Sequence, residues 1–226
     1  IMWNFSKFKN NVALIDINER VLYKDLIIYS SKIEKKIGKK SLTLMLADNS
    51  LSSIICYVSL VKKRLPVLIL DYKISKIFLN KIVKLYKPQN ICLSIENIFF
   101  KNNKNYKLNF KFKSFQFLKN IKKDTFQVKN NLSILATTSG STGSAKLIRQ
   151  SYNNIKSNTS SIIQYLKLKK DNTTITNLPL SYTFGMSIIN THLEAGSKII
   201  VTKKTLFEKK FWELFKINQV NTIYGV

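Results

Sequence analysis

One segment concentrates hydroxyl side chains and glycines: Thr137-Thr138-Ser139-Gly140-Ser141-Thr142-Gly143-Ser144-Ala145-Lys146. Gly140 and Gly143 can take positive φ, which lets the backbone come close to a ligand. Consecutive N–H groups in such a turn form a nest for an anion, and the hydroxyls of Thr138, Ser139, Ser141 and Thr142 add donors for phosphate oxygens. Lys146 places a mobile positive charge at the end of the run. The chemistry that suits this set is phosphate binding, although by composition alone the same residues also suit an ordinary surface loop. It is not a Walker A loop: Gly140 and Gly143 stand too close, Lys146 does not follow a glycine, and Leu147-Ile148 continue as an apolar strand. A Gly-x-Ser-x-Gly elbow is missing, and His192, the single histidine, has no evident acid partner and reads as an ordinary helix residue. With one histidine and no Cys-x-x-Cys, the sequence offers no zinc site.

The order of residues 138–146 is more specific than their composition. Thr138-Ser-Gly-Ser-Thr-Gly-Ser-Ala-Lys146 closely resembles the Thr-Ser-Gly-Ser-Thr-Gly-x-Pro-Lys signature of adenylate-forming enzymes, the superfamily of acyl-CoA synthetases, adenylation domains and luciferase. Ala145 replaces the usual Pro, which loosens the turn and removes no phosphate donor. Asn177-Leu-Pro-Leu-Ser-Tyr-Thr-Phe-Gly-Met186 is similar to the next motif of the family, with Tyr182 where many members carry His. Val12-Ala-Leu-Ile15 with Leu22-Tyr-Lys-Asp-Leu26, Leu65-Pro-Val-Leu-Ile-Leu-Asp71, and Ile223-Tyr-Gly-Val226 match further segments in order.

The resemblance implies a carboxylate-activating ligase: a carboxylate joins ATP, pyrophosphate leaves, and the acyl group passes to a thiol, coenzyme A or a carrier's phosphopantetheine. It implies ATP and Mg2+ as requirements. It places Thr138, Ser139, Gly140, Ser141, Thr142 and Gly143 around the leaving pyrophosphate with Lys146 adding charge. Tyr182, Phe184 and Gly185 would border the acyl pocket. The family's adenine, ribose and magnesium contacts and its catalytic lysine belong to segments after Val226. The expectation is therefore one partial AMP-binding domain over residues 1–226, without a catalytic residue and inactive alone. Ile1-Met2 is an unusual opening, and the unturned, apolar end at Val220–Val226 leads to the expectation of a fragment cut on its C-terminal side.

The elements that must position these residues alternate. Val12–Ile15 and Val21–Tyr23 flank a polar turn and predict a hairpin. Apolar spacing predicts a helix over Tyr23–Ile37 ending at Gly38. Strands are expected at Leu42–Leu46, Pro66–Leu70 and Asn90–Leu93, with helices over Ser50–Lys63 (capped at Asn49 or Ser50) and Ile74–Tyr86. Later strands are expected at Leu132–Thr137, Lys146–Gln150, Thr173–Asn177, Lys198–Val201 and Thr222–Tyr224. Helices are expected over Tyr152–Leu166, Phe184–Leu193 and Phe207–Phe215. Buried strands separated by amphipathic helices predict an α/β fold with largely parallel sheets and flanking helices. Between Phe99 and Asp124, lysines alternate with Tyr106, Leu108, Phe110, Phe112, Phe115 and Phe117. That pattern predicts one or two strands with a bend or bulge between Phe112 and Phe115.

Charge supplies the competing reading. The chain carries 38 Lys+Arg against 12 Asp+Glu, a net +26, which suits a basic polyanion- or nucleic-acid-binding module. Nearly all of the excess is lysine, with arginine only at Arg20, Arg64 and Arg149. The bidentate contacts that read phosphates and bases depend on arginine. The lysine excess travels with Asn and Ile, as an A/T-rich coding sequence would produce, so nucleic acid is not the expected partner. Cys56 and Cys92 stand far apart in different apolar segments, too few for a disulfide framework, and fit a reducing cytoplasm. The longest apolar run, Leu51–Val61, is too short to span a bilayer.

Overall fold

The computed structural model describes residues 3–38, 41–122, 128, 131–137 and 147–225. The predicted alternation of strands and helices is present, and Ser50, Ser75 and Ser151 cap the helices that begin at Leu51, Lys76 and Tyr152. Strand β1 (Val12–Ile15) and β2 (Arg20–Leu22) form the hairpin, and Asp16 Oδ1 accepts from the Asn18 and Glu19 amides at 2.8 Å to close its turn. Helix α1 (Tyr23–Ile37) follows and ends at Gly38, whose φ of +82° suits glycine. Strand β3 (Thr43–Ala47) leads to α2 (Leu51–Lys62), where Ser50, not Asn49, caps the helix by accepting from the Ser53 amide at 3.2 Å. Strand β4 (Val67–Asp71) leads to α3 (Lys76–Tyr86), stopped by a left-handed Lys87 and Pro88, and β5 (Asn90–Ser94) follows.

Strands β6 (Tyr106–Phe112) and β7 (Phe115–Asn120) form a hairpin. The phase slip expected between Phe112 and Phe115 is its tight turn, with Lys113 at φ +51°, and the bulge lies between Leu108 and Phe110. Strands β8 (Leu132–Thr137) and β9 (Leu147–Ser151) form a second antiparallel pair that runs into α4 (Tyr152–Leu166). Then come β10 (Thr173–Ile175), α5 (Thr183–Ala195), β11 (Lys198–Ile200) and α6 (Lys209–Ile217).

Among the described residues these strands form two sheets. The larger has the order β6-β7-β5-β3-β4-β8-β9; its four central strands are parallel, and antiparallel strands complete both edges. The smaller has the order β10-β11-β1-β2, so the N-terminal hairpin pairs in parallel with β11, Leu14 opposite Ile199. A last strand over Thr222–Tyr224 does not form. Thr222 makes an isolated bridge to Thr174, and the Asn221 side chain accepts from the Thr173 amide at 2.8 Å.

Side chains alternate across the large sheet and define the layers. Met45, Ala47, Val67, Ile69, Ile134 and Ala136 face inward, onto α1, α2 and α5, with Leu14 and Ile199 of the small sheet beyond. Leu44, Leu46, Leu68, Leu70, Ile91 and Leu135 face outward and meet Leu79 and Ile82 of α3. On the far side, Ile175, Ile200 and Val220 pack against Phe211 of α6. Helix α2 is buried on every side between the sheets, which explains why its sequence is apolar all round rather than amphipathic. Burial of each large side chain there contributes about 1.5–3 kcal/mol. No helix among the described residues is long and apolar enough to cross a membrane.

Cys56 of α2 and Cys92 of β5, distant in sequence, meet in this core as buried free thiols. Burial first, then the neighbouring Cys56, pushes the Cys92 thiol well above its ordinary range.

Candidate functional site

The carboxyl ends of parallel strands are where loops converge in an α/β sheet. Strands β3, β4 and β8 all end on one edge of the large sheet. Residues 138–146, and with them Thr138, Ser139, Gly140, Ser141, Thr142, Gly143 and Lys146, lie outside the described residues. Their two anchors are described: Thr137 ends β8 directly opposite Leu147, which begins β9. The Ser/Thr/Gly segment therefore connects two paired strand ends at the carboxyl edge.

The second motif is held against the same edge by two side chains that end the neighbouring strands. Asn49, just after β3, donates from Nδ2 to the Leu178 carbonyl at 3.0 Å and accepts from the Leu180 amide at 2.9 Å. Asp71, the last residue of β4, accepts from the Ser181 hydroxyl at 3.0 Å and from the Lys73 amide at 2.8 Å. Neighbouring Asp48 pairs with Lys203 at 2.7 Å, which ties the same turn to the loop after β11. Reading the residues alone offered Asn49 only as a candidate helix cap and gave Asp71 no site role; a polar residue closing each strand was the available signal.

From Ser181 the chain enters α5. The amide of Tyr182 donates to the Pro179 carbonyl at 3.0 Å, and Met186 donates back to Tyr182. A Cβ on Gly185 would lie 2.2 Å from the Pro179 oxygen, so the helix can start this close to the Leu178-Pro179 backbone only with glycine there. Gly185 thus shapes the motif through its backbone. Tyr182 sits at the N-terminus of α5 and is 40% exposed.

Phe184 meets the edge of the Tyr224 ring, with centroids 6.1 Å apart. Tyr224 is fastened twice more: Asn177 Nδ2 donates to its carbonyl, and His192 Nε2 lies 2.9 Å from its hydroxyl. His192 is fully buried, and burial lowers its pKa to about 4, so the imidazole is neutral at pH 7. Burial also pushes Tyr224 up to about 12. His192 belongs to α5, as expected, but it faces the core and holds Tyr224, which no local sequence signal reveals. Asn154 and Asn158 of α4 face Thr183, Phe184, Ser187 and Asn190 of α5 across a groove of about 390 Å³. Its mixed polar and aromatic lining suits a small organic molecule. Among the described residues, no three His, Cys, Asp or Glu side chains gather where a metal ion could be held.

The comparisons with known proteins bear on the fold and the family. No curated protein matches the chain. Solved structures do. One is o-succinylbenzoate CoA synthetase (MenE) from Bacillus subtilis in complex with the acyl-adenylate intermediate OSB-AMP. Its TM-score is 0.77 at 14% identity, over 98% of this chain and 61% of that one. The same enzyme in complex with ATP and magnesium ion gives 0.76 at 14% identity, over 98% and 62%. ATP-bound MatB from Rhodopseudomonas palustris gives 0.71 at 15% identity, over 96% and 46%. These likenesses establish the fold, and the chain spans between 46% and 62% of the length of these structures. The model of the AMP-binding enzyme family matches residues 32–226, from within α1 through both motifs, and the chain belongs to that family.

Proposed function

We propose that this chain is the phosphate-loop and acyl-wall portion of an ATP-dependent ligase that activates a carboxylic acid as its acyl adenylate. One observation carries the reading: Asn49 and Asp71 hold residues 178–181 on the edge from which residues 138–146 depart. A phosphate-binding segment and an acyl-site segment would then serve one reaction centre.

In the proposed reaction the substrate carboxylate attacks the α-phosphorus of ATP, a mixed anhydride forms, and the bond to pyrophosphate breaks. Charge then grows on the leaving oxygens, and donors arranged in advance for them lower the barrier. Thr138, Ser139, Gly140, Ser141, Thr142 and Gly143 would provide those donors, and Lys146 a charge. Tyr182 and Phe184 would border the acyl group, with Gly185 allowing the close helix start behind them. Thiol transfer, to coenzyme A or a phosphopantetheine carrier, is the natural fate of such an adenylate. The described residues supply no carboxylate cluster for Mg2+, so no step is assigned to the ion here. Residues 1–226 would form part of one adenylation domain, inactive by themselves. Two buried free thiols suit a reducing compartment such as the cytoplasm.

The test is carboxylate-dependent exchange of pyrophosphate into ATP by the full-length protein, followed by acyl transfer to coenzyme A. Lys146→Ala should lower exchange by about a hundredfold. Exchange that needs no carboxylate, or none with any carboxylate panel, would overturn the assignment.

A further inference from the structure

The proposed ligase site leaves part of the positive charge unexplained. Much of it is solvated lysine, but the fold gathers one group of cations at the opposite edge of the large sheet. Helix α2 ends at Lys62, and Lys63 and Arg64 turn the chain toward β4, with Arg64 in the left-handed region at φ +55°. Helix α4 starts across from them. Between the two lies a cleft of about 310 Å³ lined by Glu34, Lys62, Lys63, Arg64, Tyr152 and Lys156.

The partners of these cations are unequal. Lys62 donates to the Trp3 carbonyl at 2.9 Å and lies 4.5 Å from the centre of the Phe5 ring, both neutral groups. Lys63 pairs with Glu34 at 2.8 Å. The Arg64 guanidinium stands over the Tyr152 ring, 5.5 Å from its centre. Neither Arg64 nor Lys156 has a carboxylate partner among the described residues. The cleft lining thus holds one carboxylate, Glu34, and four cations. Crowding is visible at Lys62, whose pKa is lowered by burial and then by Lys63, with Glu194 opposing.

We propose that this cleft binds a small phosphate-bearing anion between the Arg64 guanidinium and the Lys156 ammonium, separately from the nucleotide site. Arg64 lies over the Tyr152 ring without a carboxylate partner among the described residues, so its N–H groups can make bidentate contact with phosphate oxygens. The cleft volume suits a phosphate monoester or a diphosphate. A nucleic-acid strand needs a longer groove that follows its backbone. Separation from residues 138–146 follows from topology. The cleft adjoins Ser151, which pairs with Leu132 at the start of β8, whereas those residues leave the other end of that strand. At roughly 3.3 Å per residue, the two ends are about 17 Å apart.

The experiment is calorimetric titration of the full-length protein with inorganic phosphate and, separately, glycerol 3-phosphate, at matched ionic strength. Binding of either is expected, and tighter binding of the ester would identify an organic phosphate as the ligand. Arg64→Gln and Lys156→Ala should each weaken it by about tenfold, and Lys146→Ala should leave it intact. Lys156 is exposed on a helix where alanine is well tolerated, so that variant separates loss of the site from loss of the fold. Affinity unchanged in both cleft variants, or lost only in Lys146→Ala, would overturn the proposal. So would an oligonucleotide that displaces phosphate through the same residues with a steep salt dependence.

Discussion

The imidazole Nε2 of His192 lies 2.9 Å from the hydroxyl of Tyr224, joining the last turn of α5 to a residue beyond α6. Burial keeps His192 neutral down to about pH 4, against an ordinary value of 6.5. An unfolded chain binds this proton at a higher pH than the folded one does. The group therefore contributes its full stability above about pH 6.5 and loses it as pH falls toward 4. The loss is of order 3 kcal/mol over that window. Urea unfolding of wild type and His192→Gln between pH 7.5 and 4.5 measures it: the difference between the two should shrink as pH falls. A constant difference would show that the imidazole is protonated alike in both states.

Asn49 makes two hydrogen bonds to the backbone of residues 178–180. Asn49→Ala should destabilise the protein by about 2 kcal/mol, because two partly buried backbone groups lose their partner. Hydrogen exchange at the Leu180 amide should accelerate by more than exchange in β3 does. Equal acceleration at both would mean that the side chain stabilises the fold generally rather than this segment.

Gly185→Ala would place a methyl group against the Pro179 carbonyl. The helix start must then move away, at about 3 kcal/mol. If the proposed ligase reading holds, KM for the carboxylate should rise more than KM for ATP. A crystal structure of the variant with residues 178–185 unmoved would contradict this account.

Cys56 and Cys92 are buried against one another, and the Cys92 thiol is held protonated. Neither should react with iodoacetamide in the native protein at pH 8, and both should react at the rate of unfolding in denaturant. Mass spectrometry of time points checks this. Rapid native alkylation of either would show that the core opens locally around α2.

Much of the local structure was legible in the sequence, since its causes are local. The spacing of Leu26, Ile33 and Ile37 gave α1 its buried face, Gly38 its stop, and Lys87-Pro88 the end of α3. The order of residues 138–146 and 177–186 identified the family, and the model of AMP-binding enzymes matches across both. The pairing of β1 with β11 could not be read in advance, because parallel strands so distant in sequence share no turn that would set their register. The same reason hid the meeting of Cys56 with Cys92, the hold of Asn49 on residues 178–180 and that of His192 on Tyr224. Thr222–Tyr224 carries a strand-like pattern but forms one bridge, to Thr174. Periodicity and capping depend on residues within a turn or two of each other and are written in the chain. Which side chains complete a site depends on the packing of whole layers, and only the tertiary structure decides it.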